Sequence, residues 1–189
     1  MKNKTLYNLI AISCLINILF AVSIILIVVC GYNQPWTAIF ITLFMFAYHA
    51  DIRILIGIVT NNLFKNKINI DKKCYKISTG EFTVLNKLGV KKWKSKFITM
   101  FKSQFEVAGF ADIEGVLRNN INAEITHHLC FVFGLLAVLF GWMISAEELW
   151  LYVITSVVAS LALDLPPILI QRYNRYRLLK IKNSLKGKL

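Results

Sequence analysis

The chain has 189 residues, 57% of them hydrophobic, with a mean hydropathy of +0.58 and a formal net charge of +12. So apolar a composition excludes an ordinary soluble domain of this size, and the basic excess suits anionic lipid headgroups or phosphorylated substrates. Nucleic acid would suit the charge too, but no recognised nucleic-acid module is present, so no nucleic-acid partner is expected.

Four stretches approach the roughly 20 mostly apolar residues that span a bilayer: Leu9–Val29, Trp36–Thr60, Leu129–Ile144 and Leu149–Ile170. The third is short and needs its flanks, or a locally thinned bilayer, to cross. The predicted fold is all-α: one membrane-embedded domain over residues 1–189, with four transmembrane helices and a basic helical region at about 62–122. Lys2 and Lys4 precede the first span, and the absence of a small-residue cleavage site predicts a retained helix rather than a removed signal peptide. Of the 22 Lys and Arg, two lie in the N-terminal tip, twelve between Asn62 and Asn122, and seven from Arg172 onward; only Arg53 sits inside a span. Positive charge stays inside, so both termini and the central region are expected in the cytoplasm of a multi-pass cell-membrane protein. Cys14, Cys30, Cys74 and Cys130 show no metal or redox spacing, so neither a disulfide framework nor a zinc site is expected.

The first span carries Asn8, Ser13, Asn17 and Ser23, read as helix–helix hydrogen-bonding groups. The second contains His49, Asp51 and Arg53. His49 and Arg53 are four apart and share a face, whereas Asp51 points elsewhere and needs a separate partner. Charges at membrane depth face each other, a cavity or the bundle interior. Two readings stay open: a structural pair of Arg53 with Asp164, or a site to which His49 and Arg53 contribute. In the central region Trp93, Phe97, Phe101 and Phe105 recur every four residues among lysines, a pattern that suits the membrane interface. Its alternative is a helix packing the same stripe into a small core.

Glu124 and His127 lie three apart on one helix face before the third apolar stretch. A carboxylate one turn from an imidazole supports an acid–base role. His128 lies about 100° round the helix and is the weaker candidate. The last span holds Asp164, Pro166 and Pro167, then gives way to Gln171-Arg172-Tyr173-Asn174-Arg175-Tyr176-Arg177. A stop-transfer flank needs only charge, which Lys in any order supplies. Arginine adds a planar fork that binds phosphate or carboxylate bidentately, so the motif reads as half of a polar site at the membrane surface.

Three blocks resemble the glycosyl-4,4'-diaponeurosporenoate acyltransferase family of small bacterial membrane proteins. They are Lys91-Lys92-Trp93-Lys94-x-Lys96, Ala123-Glu124-x-x-His127, and Pro166 followed by Gln171-Arg172-Tyr173-Asn174-Arg175-x-Arg177-Leu178. The last is the most specific. Tyr176 stands where the family pattern has proline, and Asn61–Gly89 matches poorly. The resemblance implies acyl transfer to a sugar hydroxyl on a lipid-like acceptor, without fixing that acceptor as a carotenoid.

The expected function is therefore fatty-acyl transfer to a hydroxyl of a glycosylated or other amphipathic lipid. His127 is the expected general base and Glu124 its orienting partner. Arg172, Arg175 and Arg177 bind phosphates of the donor, acyl-CoA or acyl-carrier protein, with no tightly bound cofactor and no metal. Asn174 or Tyr173 donates to the oxyanion, Gln171 lies beside them, His49 and Arg53 complete the site, and Trp93 holds the acceptor surface. Two other classes compete with this reading. One is a non-enzymatic scaffold or lipid-binding subunit. The other is a metal-dependent lipid oxidase or desaturase using His49, Glu124, His127, His128 and Asp164. Di-iron bundles need two Glu-x-x-His motifs and further glutamates, and this chain has one such motif and three histidines.

Overall fold

The computed structural model describes residues 2–31, 34–64, 67–98, 113–143 and 146–186. Its order is α1 (Lys2–Cys30), α2 (Gln34–Leu63), a short 3-10 turn (Lys73–Tyr75), α3 (Thr79–Lys87), α4 (Val90–Ile98), α5 (Ile113–Leu136), a second 3-10 segment (Ala137–Met143) and α6 (Ala146–Lys186). No strand occurs among the described residues. Four helical segments are long and apolar enough to cross a membrane: Ile10–Cys30, Pro35–Leu63, Ile113–Gly141 and Tyr152–Ser184. The all-α, four-span architecture is thus as the composition predicts, with one difference. The third apolar stretch is the second half of a helix that already starts at Ile113, so the Glu124–His127 segment is helical interior rather than a leader. Its polar first half, rich in Asn, hid that continuity from a hydropathy reading.

The chain divides into two compact units, Met1–Ile58 with Cys130–Leu161, and Val59–Leu129 with Ala162–Leu189. In the first, α1 leaves Leu15, Ile18, Ile25 and Val28 exposed, as a helix bathed in lipid does. Lipid tails offer no hydrophobic gain to helix association, so packing and polar contacts carry it. Phe20, Phe40, Phe44, Tyr48 and Phe140 form a ladder of rings with neighbouring centroids 5.3–6.5 Å apart. Tyr48 Oη donates to the Phe133 carbonyl at 2.7 Å, and Tyr152 Oη to that of Ala137 at 2.5 Å. Gly134 sits where any Cβ would collide with Ser160 Oγ and crowd the His49 ring, so only glycine lets these backbones approach. Asp51 finds its separate partners on α1, accepting from Ser13 Oγ and from Asn17 Nδ2 at 3.0 Å.

The second unit has two small cores. One gathers Ile68, Ile70, Ile113, Leu117 and Ile121, with Tyr75, Leu178 and Leu179 packed on it. The other gathers Leu85, Val90, Ile170 and Tyr173, with Phe82, Trp93 and Leu169. Each fully buried aliphatic side chain contributes about 1.5–3 kcal/mol relative to exposure. Ser78 caps α3, its hydroxyl accepting from the Glu81 N–H at 3.1 Å. Gly89, with φ +68°, turns the chain from α3 into α4, a conformation a side chain would resist.

Trp93 packs on one of these cores. Its ring packs on the second core and its indole N–H donates to the Leu88 carbonyl at 3.1 Å. The half-buried indole thus has a packing role beside Val90 and Tyr173. Phe101 and Phe105 lie outside the described residues. Pro166 and Pro167 fall inside α6, which continues unbroken to Lys186.

Candidate active site

Within the second unit, α5 and α6 present matching polar residues at a spacing of four. Asn120 and Glu124 stack on one face of α5, Gln171 and Arg175 on one face of α6, because residues four apart are neighbours on a helix. Asn120 Nδ2 donates to Gln171 Oε1, and one turn further Arg175 Nη1 donates to Glu124 Oε2. Arg172 adds a second guanidinium, with Nη1 donating to Glu124 Oε1 at 2.8 Å and Nε to Glu81 Oε1. Glu124 thus bridges two arginines, and Arg172 bridges two glutamates.

Burial grades the cluster. The Arg175 and Glu124 side chains are 1% and 7% exposed, those of Arg172 and Glu81 25% and 31%. A buried ion pair persists only where the geometry is good and the remaining donors and acceptors are used. Glu81 lies in the first turn of α3, where the helix dipole favours an acid. The Tyr75 ring lies 5.9 Å from the Arg175 guanidinium, and burial pushes its phenol above the ordinary tyrosine range.

His127 sits one turn beyond Glu124 on α5, half-buried. Its Nδ1 lies 3.3 Å from Oδ1 of Asp164, a carboxylate wholly removed from solvent. The sequence spacing assigned Glu124 as the partner of His127, whereas the structure places Asp164 beside the imidazole and Glu124 between two arginines. Sharing a helix face did not suffice, because two guanidinium groups from α6 draw both Glu124 oxygens. His128 is exposed and donates to the Glu124 backbone carbonyl at 2.9 Å.

The other motif residues divide between packing and surface. Tyr173 is buried, its ring stacked on Phe82 with centroids 5.2 Å apart. Asn174 Oδ1 accepts from Lys94 Nζ at 3.0 Å, and the same ammonium lies 4.9 Å from the Tyr173 ring centroid. Burial, then the charges of Arg177 and Lys91, hold Lys94 below the usual lysine range. Arg177 is exposed. In the first unit Arg53 Nη1 donates to His49 Nδ1 at 3.0 Å and to the His49 carbonyl at 2.8 Å, the shared face their spacing predicts. Among the described residues no three His, Cys, Asp or Glu side chains converge in a way that could hold a metal ion.

Sequence reasoning missed Glu81, Lys94 and Asn120 as members of this cluster. Glu81 left a signal, for Ser78-x-x-Glu81 is a capping-box spacing that fixes a helix start. Its carboxylate turns to Arg172 instead of back to the cap.

The fold and these contacts define a class: a helical membrane protein with four spans, whose polar centre is a His–Asp pair next to a carboxylate gripped by two arginines. Residues 70–183, more than half the chain, match the model of the glycosyl-4,4'-diaponeurosporenoate acyltransferase family, and the protein belongs to that family. It is an acyltransferase, in a family of carotenoid biosynthesis. The matched region contains every residue of the cluster and both members of the His127–Asp164 pair. No curated protein and no solved structure matches the chain.

Proposed function

We propose that the enzyme transfers a fatty acyl group from acyl-CoA or acyl-carrier protein to a sugar hydroxyl on a lipid-like acceptor, at the membrane surface and without a tightly bound cofactor. The supporting observation is His127 held beside the fully buried Asp164. With Nδ1–H donated to the carboxylate, the lone pair stands on Nε2. Nε2 takes the acceptor's hydroxyl proton as that oxygen attacks the thioester carbonyl. The tetrahedral intermediate then collapses, its C–S bond breaking, and the imidazolium returns the proton to the departing thiolate. The products are an ester and a free thiol.

Asp164 takes the orienting role the sequence gave to Glu124. Asn174 is the candidate oxyanion donor, because Lys94 engages its carbonyl oxygen and a side-chain amide carries two further N–H donors. For donor phosphates the exposed Arg177 is better suited than Arg172 or Arg175. Those two are already closed on Glu81 and Glu124, so their donor edges are engaged by carboxylates.

Lipid profiling of cells with and without the protein tests this function, alongside transfer by the purified protein in lipid nanodiscs. The expected result is a glycolipid species that gains one acyl chain. Identical profiles, with no transfer from either donor, sink the proposal.

The orientation follows from the charge distribution, with the donor side in the cytoplasm. Cys74 is exposed in the second unit. In a variant lacking the other three cysteines, a membrane-impermeant thiol reagent is expected to label it only after cells are opened. Labelling in intact cells would reverse the topology and with it the source of the donor.

A further inference from the structure

Arg175 is the largest fully buried side chain in the described structure, and only one of its nitrogens has a partner. Nη1 is taken by Glu124, while Nε and Nη2 are enclosed without a hydrogen-bond partner among the described residues. On the facing helix the Asn120 amide gives its N–H to Gln171, and its Oδ1 is likewise enclosed without a partner. These are not scattered defects. Gln171 and Arg175 are one turn apart on α6, Asn120 and Glu124 one turn apart on α5, and the rungs Asn120–Gln171 and Glu124–Arg175 join them. The two rungs follow each other at one helical turn, about 5–6 Å between Cβ atoms along each helix, so the free donors and the free acceptor belong to successive rungs. Buried polar groups are almost always satisfied, so a matched set of two donors and one acceptor in one ladder calls for a physical account.

Its chemistry restricts the ligand. Both guanidinium groups already face carboxylates, Arg172 those of Glu81 and Glu124 and Arg175 that of Glu124, so neither stands as an unpaired cation waiting for an anion. A phosphate would moreover meet the Asn120 Oδ1 lone pairs, an acceptor facing an acceptor. A neutral hydroxyl pair fits both sides, because each hydroxyl accepts through oxygen and donates through hydrogen. One oxygen receives the Arg175 Nε–H and Nη2–H edge while a neighbouring O–H donates to Asn120. We infer that Arg175 and Asn120 form the subsite that reads hydroxyls of the acceptor headgroup other than the one acylated. Arg172 and Glu81, the exposed end of the cluster, form the rim that parts to admit it. The inference rests on the acyl-transfer reading for its acceptor, but binding can be measured without turnover.

Arg175→Lys tests it, because lysine keeps a cation for Glu124 and loses the second edge of the fork. Asn120→Ser is the companion variant should the first fail to fold. The probes are octyl glucoside and its singly deoxygenated analogues. Binding is followed by ligand-observed NMR on the purified full chain in nanodiscs, and steady-state kinetics are measured with the same acceptors.

In the wild type, one deoxy analogue is expected to bind roughly ten- to hundredfold more weakly than the parent, the range a charged hydrogen bond commands. Both variants are expected to lose that discrimination and to raise the acceptor's KM by a similar factor, leaving the donor's KM in place. A raised donor KM with unchanged acceptor binding would assign Arg175 to the donor and overturn the inference. So would full discrimination retained in both variants, the result expected if water alone completes the ladder. If wild-type protein binds the glycoside selectively but transfers no acyl group, the subsite stands and the acyl-transfer reading falls.

Discussion

His127→Ala is expected to insert and fold, to bind lipid, and to lose roughly 10²–10⁴ in turnover, the usual contribution of a positioned general base. Folding should survive because the side chain is 30% exposed and makes only a long polar approach, 3.3 Å, to Asp164. Asp164→Asn should lose less. The amide keeps the volume and some hydrogen bonding, but it favours the wrong tautomer by offering its own N–H to Nδ1. His128→Ala should be mild, since that exposed ring only donates to a backbone carbonyl. Turnover per correctly folded molecule decides the matter. If His128→Ala costs as much as His127→Ala, and chelators abolish activity, the site is a metal centre and the general-base assignment is wrong.

The fold was legible because its strongest signal is physical and local. Four long apolar runs can only be satisfied in lipid as helices, whatever their partners. Less legible was where α5 begins, because Asn119, Asn120 and Asn122 depress hydropathy just where the helix takes on its polar role. Pairings within one helix were also readable. His49 and Arg53 share a face by spacing alone, and Asp51 by the same geometry had to look elsewhere, as it does toward Ser13 and Asn17.

Pairings between helices were another matter. Glu124 and His127 are three apart, so spacing made them partners; Arg172 and Arg175, 48 and 51 residues away along the chain, took the carboxylate instead. Nothing in one helix's periodicity encodes which neighbour it faces. Trp93 shows the same limit: at four-residue spacing it is compatible with lipid or with a core, and its neighbours Leu85, Val90 and Ile170 became visible only in the fold. The arginine-rich motif was recognised as more than a topology signal. Its carboxylate partner was not legible, because Glu81 closes on Arg172 from a position 91 residues earlier in the chain.

Glu124 carries the second large expectation. Replacing it by alanine leaves Arg175, 1% exposed, as a buried cation with no carboxylate, and breaking a buried pair by removing one partner costs about 3–5 kcal/mol. Against a typical total of about 5–15 kcal/mol, that is a large share, so Glu124→Ala should accumulate poorly and unfold at lower temperature. Glu124→Gln should be intermediate: one amide oxygen still accepts, but its NH₂ then faces a guanidinium. The double change Glu124→Ala with Arg175→Met should recover part of the loss, because removing both charges and keeping the volume strands nothing. Thermal unfolding of the purified variants in nanodiscs measures this, and turnover per folded molecule separates frame from chemistry. If Glu124 is the frame, Glu124→Gln keeps per-molecule turnover within about tenfold of wild type, well short of the loss expected of a general base. A per-molecule loss equal to that of His127→Ala, in a variant as stable as wild type, would return Glu124 to the chemical role its spacing first suggested and displace Asp164 from it.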